Sequence, residues 1–256
     1  ELTLDGYGGP VHALAIHGDR LFSGGHETDD TQTATAIHLW NLISGTHEAT
    51  MDGHSGPILA LLCVTNTQGE TLVVSSSEDK TIRVWNVTAT SSSYGIAETS
   101  MIGHENAVTA LAICPQQRVL VSSSRDKTIC IWDWTARHMD AQTDRHKKPV
   151  HCVAFNHDGT KIVSSGEEPG LRIWSVDTGE LIKELIGHNG VVNAVSFNRD
   201  SSLVVSAGDD CTVRLWNTAS GETVSVLSNQ GEAALCAAFY HQANHAYERG
   251  EGDDTD

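Results

Sequence analysis

Five tryptophans close near-identical phrases in this chain: "AIHLWN" at Trp40, "TIRVWN" at Trp85, "TICIWD" at Trp132, "LRIWSV" at Trp174 and "TVRLWN" at Trp216. Each phrase alternates apolar and polar residues, as a half-buried strand does. Successive tryptophans lie 45, 47, 42 and 42 residues apart, a period of the length that four short strands and their turns occupy. The chain therefore reads as a tandem array of one small all-β unit, and any function must be carried by that array.

Upstream of four tryptophans stands a histidine: His54, His104, His146 and His188, at separations of 31, 28, 28 and 28 residues. Glycine precedes three of them, in "DGHSGP", "IGHENA" and "IGHNGV", whereas the fourth reads "DRHKKP". Between histidine and tryptophan lie a "VTALAI"-type strand, a "VLVSSS"-type strand and a tight turn such as "RDKT" or "DDCT". With these residues in register the chain resembles the WD-repeat (WD40) β-propeller family over roughly residues 3–240. That resemblance implies four-stranded antiparallel blades around a central channel, with the first strand of each sequence repeat closing the preceding blade. There are departures: Tyr7 replaces the first histidine, "SSGEEPG" lacks the turn aspartate, and of the five tryptophans only Trp132 is followed by aspartate.

The recurring residues have a physical rationale of their own. A loop histidine, a strand serine, a turn aspartate and a strand tryptophan can form one hydrogen-bonded chain, the aspartate orienting the imidazole and the hydroxyl linking it to the indole N–H. The expected sets are His54, Ser75 or Ser77, Asp79 and Trp85; then His104, Ser122 or Ser124, Asp126 and Trp132. In the fourth repeat His146 and Trp174 remain, and in the fifth His188, Ser206, Asp209 or Asp210, and Trp216. A Ser-His-Asp set that recurs repeat after repeat, with its serine in a strand, argues for a structural role over a nucleophilic one. No catalytic residue is expected.

Cofactor and metal chemistry find no support in the sequence. The scattered histidines His12, His17, His26, His38 and His47 lack a shared ligand spacing, and "SGGHETDD" has neither the lysine nor the following helix of a phosphate loop. Cysteines 63, 114, 130, 152, 211 and 236 form no CxxC pair, so buried, reduced thiols and an intracellular, cytoplasmic setting are expected. No window approaches the roughly 18 apolar residues of a membrane helix. Thirty-three acids against 16 bases leave a formal charge of −17, which opposes generic binding to phosphate backbones. The excess is uneven: residues 1–79 carry eleven acids and one base, whereas residues 118–148 carry seven bases and four acids.

In the resembling family, loops gather on one upper face, and carrying this over residue by residue points to a partner-binding rim. Its acids are Asp29, Asp30, Glu78, Glu167 and Glu168, and its bases Arg125, Lys127, Lys147 and Lys148. The expected function is a non-catalytic protein–protein interaction scaffold in a multiprotein complex, docking a basic segment on the acidic sector. Two alternatives stay open: an RNA-contacting subunit of a ribonucleoprotein that uses the basic third-repeat sector, where Trp134 can stack although such a tryptophan more often simply packs, and the substrate arm of a ubiquitin ligase. Polar insertions at His26–Ala36 and Thr88–Gly95 are the most individual loops.

Repeat boundaries fall near 7–53, 54–103, 104–145, 146–187 and 188–229, with a partial unit at 230–240 and a polar acidic tail, expected to be disordered, at 241–256. Gln230 takes the next histidine position, and a sixth tryptophan would be due near position 258, two residues past the last. "AALCAAFY" supplies one plausible strand of that unit. Five blades plus fragments are expected: a piece of a longer, seven-bladed parent, an open ring, or a gap that a partner fills.

Overall fold

A computed structural model describes residues 4, 9–26, 35–66, 68–88, 97–114, 118–136, 138–143, 146–228 and 231–239. Twenty strands form five antiparallel sheets of four strands each, and no helix occurs among the described residues. The first blade comprises β1 (Val11–His17), β2 (Arg20–Gly25), β3 (Ile37–Asn41) and β4 (His47–Met51). The second comprises β5 (Ile58–Thr65), β6 (Thr71–Ser77), β7 (Thr81–Asn86) and β8 (Ala97–Ile102). The third is β9 (Val108–Cys114), β10 (Val119–Ser124), β11 (Ile129–Asp133) and β12 (His138–Gln142). The fourth is β13 (Val150–Phe155), β14 (Lys161–Gly166), β15 (Gly170–Ser175) and β16 (Leu181–Ile186). The fifth is β17 (Val192–Phe197), β18 (Leu203–Gly208), β19 (Thr212–Asn217) and β20 (Thr223–Ser228). Each sheet is a meander in chain order, so each sequence phrase ending in tryptophan is the third strand of its blade.

The innermost strands β1, β5, β9, β13 and β17 pack in sequence, and the core lies between blades, not within one. Side chains alternate between the two faces of every strand, so a blade packed between two others presents one face to each neighbour. Val163, Leu171, Ile173 and Leu185 of the fourth blade, for example, meet Val192, Val195, Phe197, Val204 and Trp216 of the fifth. The same pattern places Trp85 on the first blade, Trp132 on the second and Trp174 on the third. In every blade the third and fourth strands slip register immediately before the tryptophan. A bulge of this kind bends the strand and re-aims the side chain.

The same positions change character at the two ends of the array. Val195 and Phe197 are 9% and 4% exposed, yet Leu14 and Ile16, which hold the equivalent positions on β1, are 60% and 62% exposed. At the other end Leu227 occupies the position of Leu185, and its exposure is 65% against 0%. Val205, Val213 and Leu215 are half-buried where Val163, Leu171 and Ile173 are fully covered.

Segment 231–239 forms no strand, contrary to the expectation for "AALCAAFY", because a lone strand without a ladder partner cannot satisfy its backbone groups. It nevertheless lies against the fifth blade, where the Ala234 N–H donates to the Gly208 carbonyl at 3.0 Å. The acidic tail, Tyr7, Gln230, most of the His26–Ala36 insertion and nearly all of the Thr88–Gly95 insertion lie outside the described residues.

Candidate functional site

In the second blade His54 Nδ1 lies 2.7 Å from Asp79, His54 Nε2 lies 2.7 Å from Ser75 Oγ, and the Trp85 indole N–H donates to the same hydroxyl at 2.8 Å. The third blade repeats the set with His104, Asp126, Ser122 and Trp132 at 2.8, 2.7 and 2.8 Å. The sites expected at Ser75 or Ser77 and at Ser122 or Ser124 thus fall to Ser75 and Ser122. An ionised carboxylate only accepts, so Nδ1 carries the proton and donates to aspartate, while Nε2 accepts from the serine hydroxyl. Asp79 also accepts from the Ser55 backbone N–H at 3.0 Å and from Thr81 at 2.6 Å. Burial opposes the charge on Asp79, but the His54 and Thr81 hydrogen bonds outweigh it and hold the carboxyl well below its ordinary range; Asp126 behaves alike. The four serines of these chains, Ser75, Ser122, Ser164 and Ser206, are fully buried. Such sets are struts between loop and strand, since no substrate carbonyl can reach those hydroxyls.

One alternative is resolved against Asp209, and one assignment needs correction. In the fifth blade the acid partner of His188 is Asp210, at 2.9 Å, and Asp209 instead accepts from Asn193 at 2.7 Å. The reason is turn register: the network acid stands two residues before the third strand's first threonine, whose N–H and hydroxyl clamp it, as Thr212 does Asp210. Asp210 is held at about 2, where burial is opposed by bonds from Asn189, Thr212 and His188. In the fourth blade Glu168, expected on the open rim, is drawn inward and serves as the missing acid. It lies 3.3 Å from His146 Nδ1, accepts from the backbone N–H groups of Lys147 and Lys148, and pairs with Arg172 at 3.1 Å. Lys80, Lys127 and Cys211 hold φ values of 71°, 77° and 61° in the other turns, which Pro169 in the equivalent place cannot adopt. The turn changes shape, and the longer glutamate spans the difference. His146, enclosed by burial and beside Arg172, is pushed down to about 4 despite Glu168.

The glycine before three of these histidines follows from close approach. A Cβ added at Gly53, Gly103 or Gly187 would stand 3.1, 2.9 and 3.0 Å from the ring of Trp85, Trp132 and Trp216. The first blade keeps the Trp40 to Ser23 bond at 2.8 Å, with His38 and His47 flanking the indole at centroid distances of 6.0 and 5.1 Å.

The repeat architecture agrees with a family model, the WD domain, G-beta repeat, which matches residues 45–86, 96–133, 141–175 and 179–217, more than half of the chain. The chain belongs to the WD-repeat family. A curated relative, MST50-interacting protein 11 of Pyricularia oryzae, is 35% identical over 66 residues, covering 26% of this WD-repeat chain and 20% of the relative. Members of the family typically act as non-catalytic protein-interaction scaffolds.

The rim of this WD-repeat chain is built by a repeated backbone tie. The N–H groups of Glu78, Arg125, Glu167 and Asp209 donate to the carbonyls of Pro57, Ala107, Pro149 and Val191, which places these four side chains at equivalent points beside the inner strands. Glu78 and Arg125 pair across the second and third blades at 3.3 Å. Glu167 lies 3.6 Å from His151, its side chain 42% exposed. Lys127, Lys147 and Lys148 are exposed; the last two line a cavity of about 270 Å³ with Glu168, Arg172 and Glu184. Asp29 and Asp30 lie outside the described residues. Trp134 is only 4% exposed and packs in the core between the second and third blades, so it offers no face to a nucleobase. Among the described residues no group of three or more histidine, cysteine, aspartate or glutamate side chains is placed to hold a metal ion. Burial pushes the thiols of Cys63, Cys130 and Cys152 up to about 12.

Proposed function

We propose that this chain is a scaffold subunit of a multiprotein complex that docks a basic partner segment on the upper rim of its fourth and fifth blades. The observation that carries this reading is the placement of Glu167 and Asp209 at equivalent rim points, where, among the described residues, His151 and Asn193 are their rim partners. Glu78, at the same point of the second blade, already pairs with Arg125, so the acidic sector is the part of the rim left open to a cation. Charges so placed speed and orient encounter more than they hold a complex together. Pairing of Arg125 and burial of Trp134 weigh against the RNA alternative. All six cysteines are free, which supports a reducing intracellular compartment.

The test is binding of a fluorescent lysine- and arginine-rich peptide at several salt concentrations. Glu167→Gln combined with Asp209→Asn is expected to slow association about tenfold at low salt and to flatten its salt dependence. Identical kinetics and salt slopes for both proteins would remove the acidic rim as the docking site.

A further inference from the structure

The fourth repeat departs from its neighbours at two stretches of sequence, and the fold brings them together. After the histidine the second, third and fifth blades read Ser55-Gly56, Glu105-Asn106 and Asn189-Gly190, whereas the fourth reads Lys147-Lys148. Those three blades place a threonine at or just before the start of the third strand, Thr81, Thr128 and Thr212; the fourth has Gly170 there, preceded by Glu168 and Pro169. Lys147, Lys148, Glu168, Pro169 and Gly170 all line one cavity of about 270 Å³. Gly170 opens it: a Cβ there would meet nothing closer than the Leu185 carbonyl, at 3.4 Å. Pro169, Leu171 and Ile186 give the cavity its apolar lining, and Ile186 is 74% exposed beside it. The lysine pair is held in place, because Glu168 accepts from both lysine backbone N–H groups and is itself fixed by His146 and Arg172. Arg172 is matched by Glu168 at 3.1 Å and Glu184 at 3.0 Å, whereas among the described residues neither lysine makes an ion pair.

We propose that this cavity docks a segment of a partner protein in which one apolar side chain is flanked by carboxylates. The apolar side chain enters against Pro169, Leu171 and Ile186, and the carboxylates meet Lys147 and Lys148 at the mouth. Size and charge select that occupant. A volume of about 270 Å³ falls below the roughly 300–1,000 Å³ of small-molecule sites, and it suits a single large side chain delivered by a chain that runs on across Ile186. The lysines are the cations left over once Arg172 is matched, and their backbone is already fixed, so less freedom is lost when they pair. On a chain of formal charge −17 an acidic segment is repelled over most of the surface, and a local cation pair sets where it lands. This site does not depend on the acidic rim: it takes a ligand of the opposite charge and reaches the outer strand at Glu184 and Ile186, whereas Glu167 and Asp209 stand beside the inner strands.

The probes are labelled peptides in which one apolar residue, leucine, methionine or phenylalanine, stands between two pairs of aspartates, titrated into the full 256-residue chain. At least one is expected to saturate below ~1 mM, with the amide signals of Lys147, Lys148, Gly170 and Ile186 shifting along the same curve. Glycine in place of the peptide's apolar residue, a change that leaves the protein untouched, is expected to weaken binding by about tenfold or more. Gly170→Thr, which restores the residue of three other blades and narrows the cavity, should do the same at an unchanged urea midpoint. Lys147→Gln with Lys148→Gln is expected to cost about tenfold at low salt and to flatten the salt dependence. Glu167→Gln with Asp209→Asn is expected to cost no affinity, so this site and the acidic rim fail independently. No saturation by ~1 mM peptide, equal binding of the glycine-centred peptide, indifference to both the Gly170 and the lysine changes, or shifts confined to other residues would overturn the proposal. A single-stranded RNA that binds the lysine pair more tightly than every peptide would assign the site to nucleic acid and overturn it equally.

Discussion

The histidines of the fourth and fifth blades are struts whose environment determines how acid acts on the fold. Burial and Arg172 push His146 down to about 4, and burial lowers His188 despite Asp210. A histidine whose folded value lies below its unfolded 6.5 contributes stability that is complete above that value and lost as pH falls through the folded one. The struts' aspartates, also lowered, add a loss that begins only below their ordinary 3.8. Denaturant unfolding between pH 7 and 4 should therefore show falling stability, with a slope of at most about 1.4 kcal/mol per pH unit for each histidine. His146→Gln should be less stable at pH 7 and show a shallower slope between pH 6.5 and 4; an unchanged slope would mean that His146 does not titrate on unfolding. The identity of these struts was legible wherever the motif is regular, as at His54, Asp79 and Trp85. It failed at Glu168 and did not decide between Asp209 and Asp210, because a turn's acid is specified by its distance from the next strand and by the φ its neighbours allow. Counting two residues back from Thr212 would have found Asp210, and the same count from Gly170 would have found Glu168.

At the scale of the element, a third strand is secured from three sides: by its serine strut, by the bulge before its tryptophan, and by the glycine that lets the inter-blade loop cross the indole. Gly103 shows the tolerance of that packing, since a Cβ there would meet Trp132 at 2.9 Å and Met139 Sδ at 3.3 Å. Trp132 is 1% exposed and fixed by Ser122, so it cannot swing away. Gly103→Ala should lower stability by about 1–3 kcal/mol through overpacking, read as a shift of the urea midpoint with unchanged m-value. Strand periodicity and tryptophan spacing made all five third strands legible. For Trp134, packing is the more usual reading and stacking the alternative, and its 4% exposure in the core between the second and third blades agrees with packing.

For the whole molecule, stability in a repeat array is a sum of unit and nearest-neighbour contributions, so a blade with one neighbour is held by one interface instead of two. The described blades form a series whose inner members bury both faces, while β1 exposes Leu14 and Ile16 and every residue of β20 is exposed. Local opening should follow that gradient. Native-state hydrogen exchange is expected to rank the amides of β11 and β15 as slowest, those of β3 and β19 as faster, and those of β20 as fastest. Equal protection of β11 and β19 would mean that the number of packed neighbours does not set a blade's local stability.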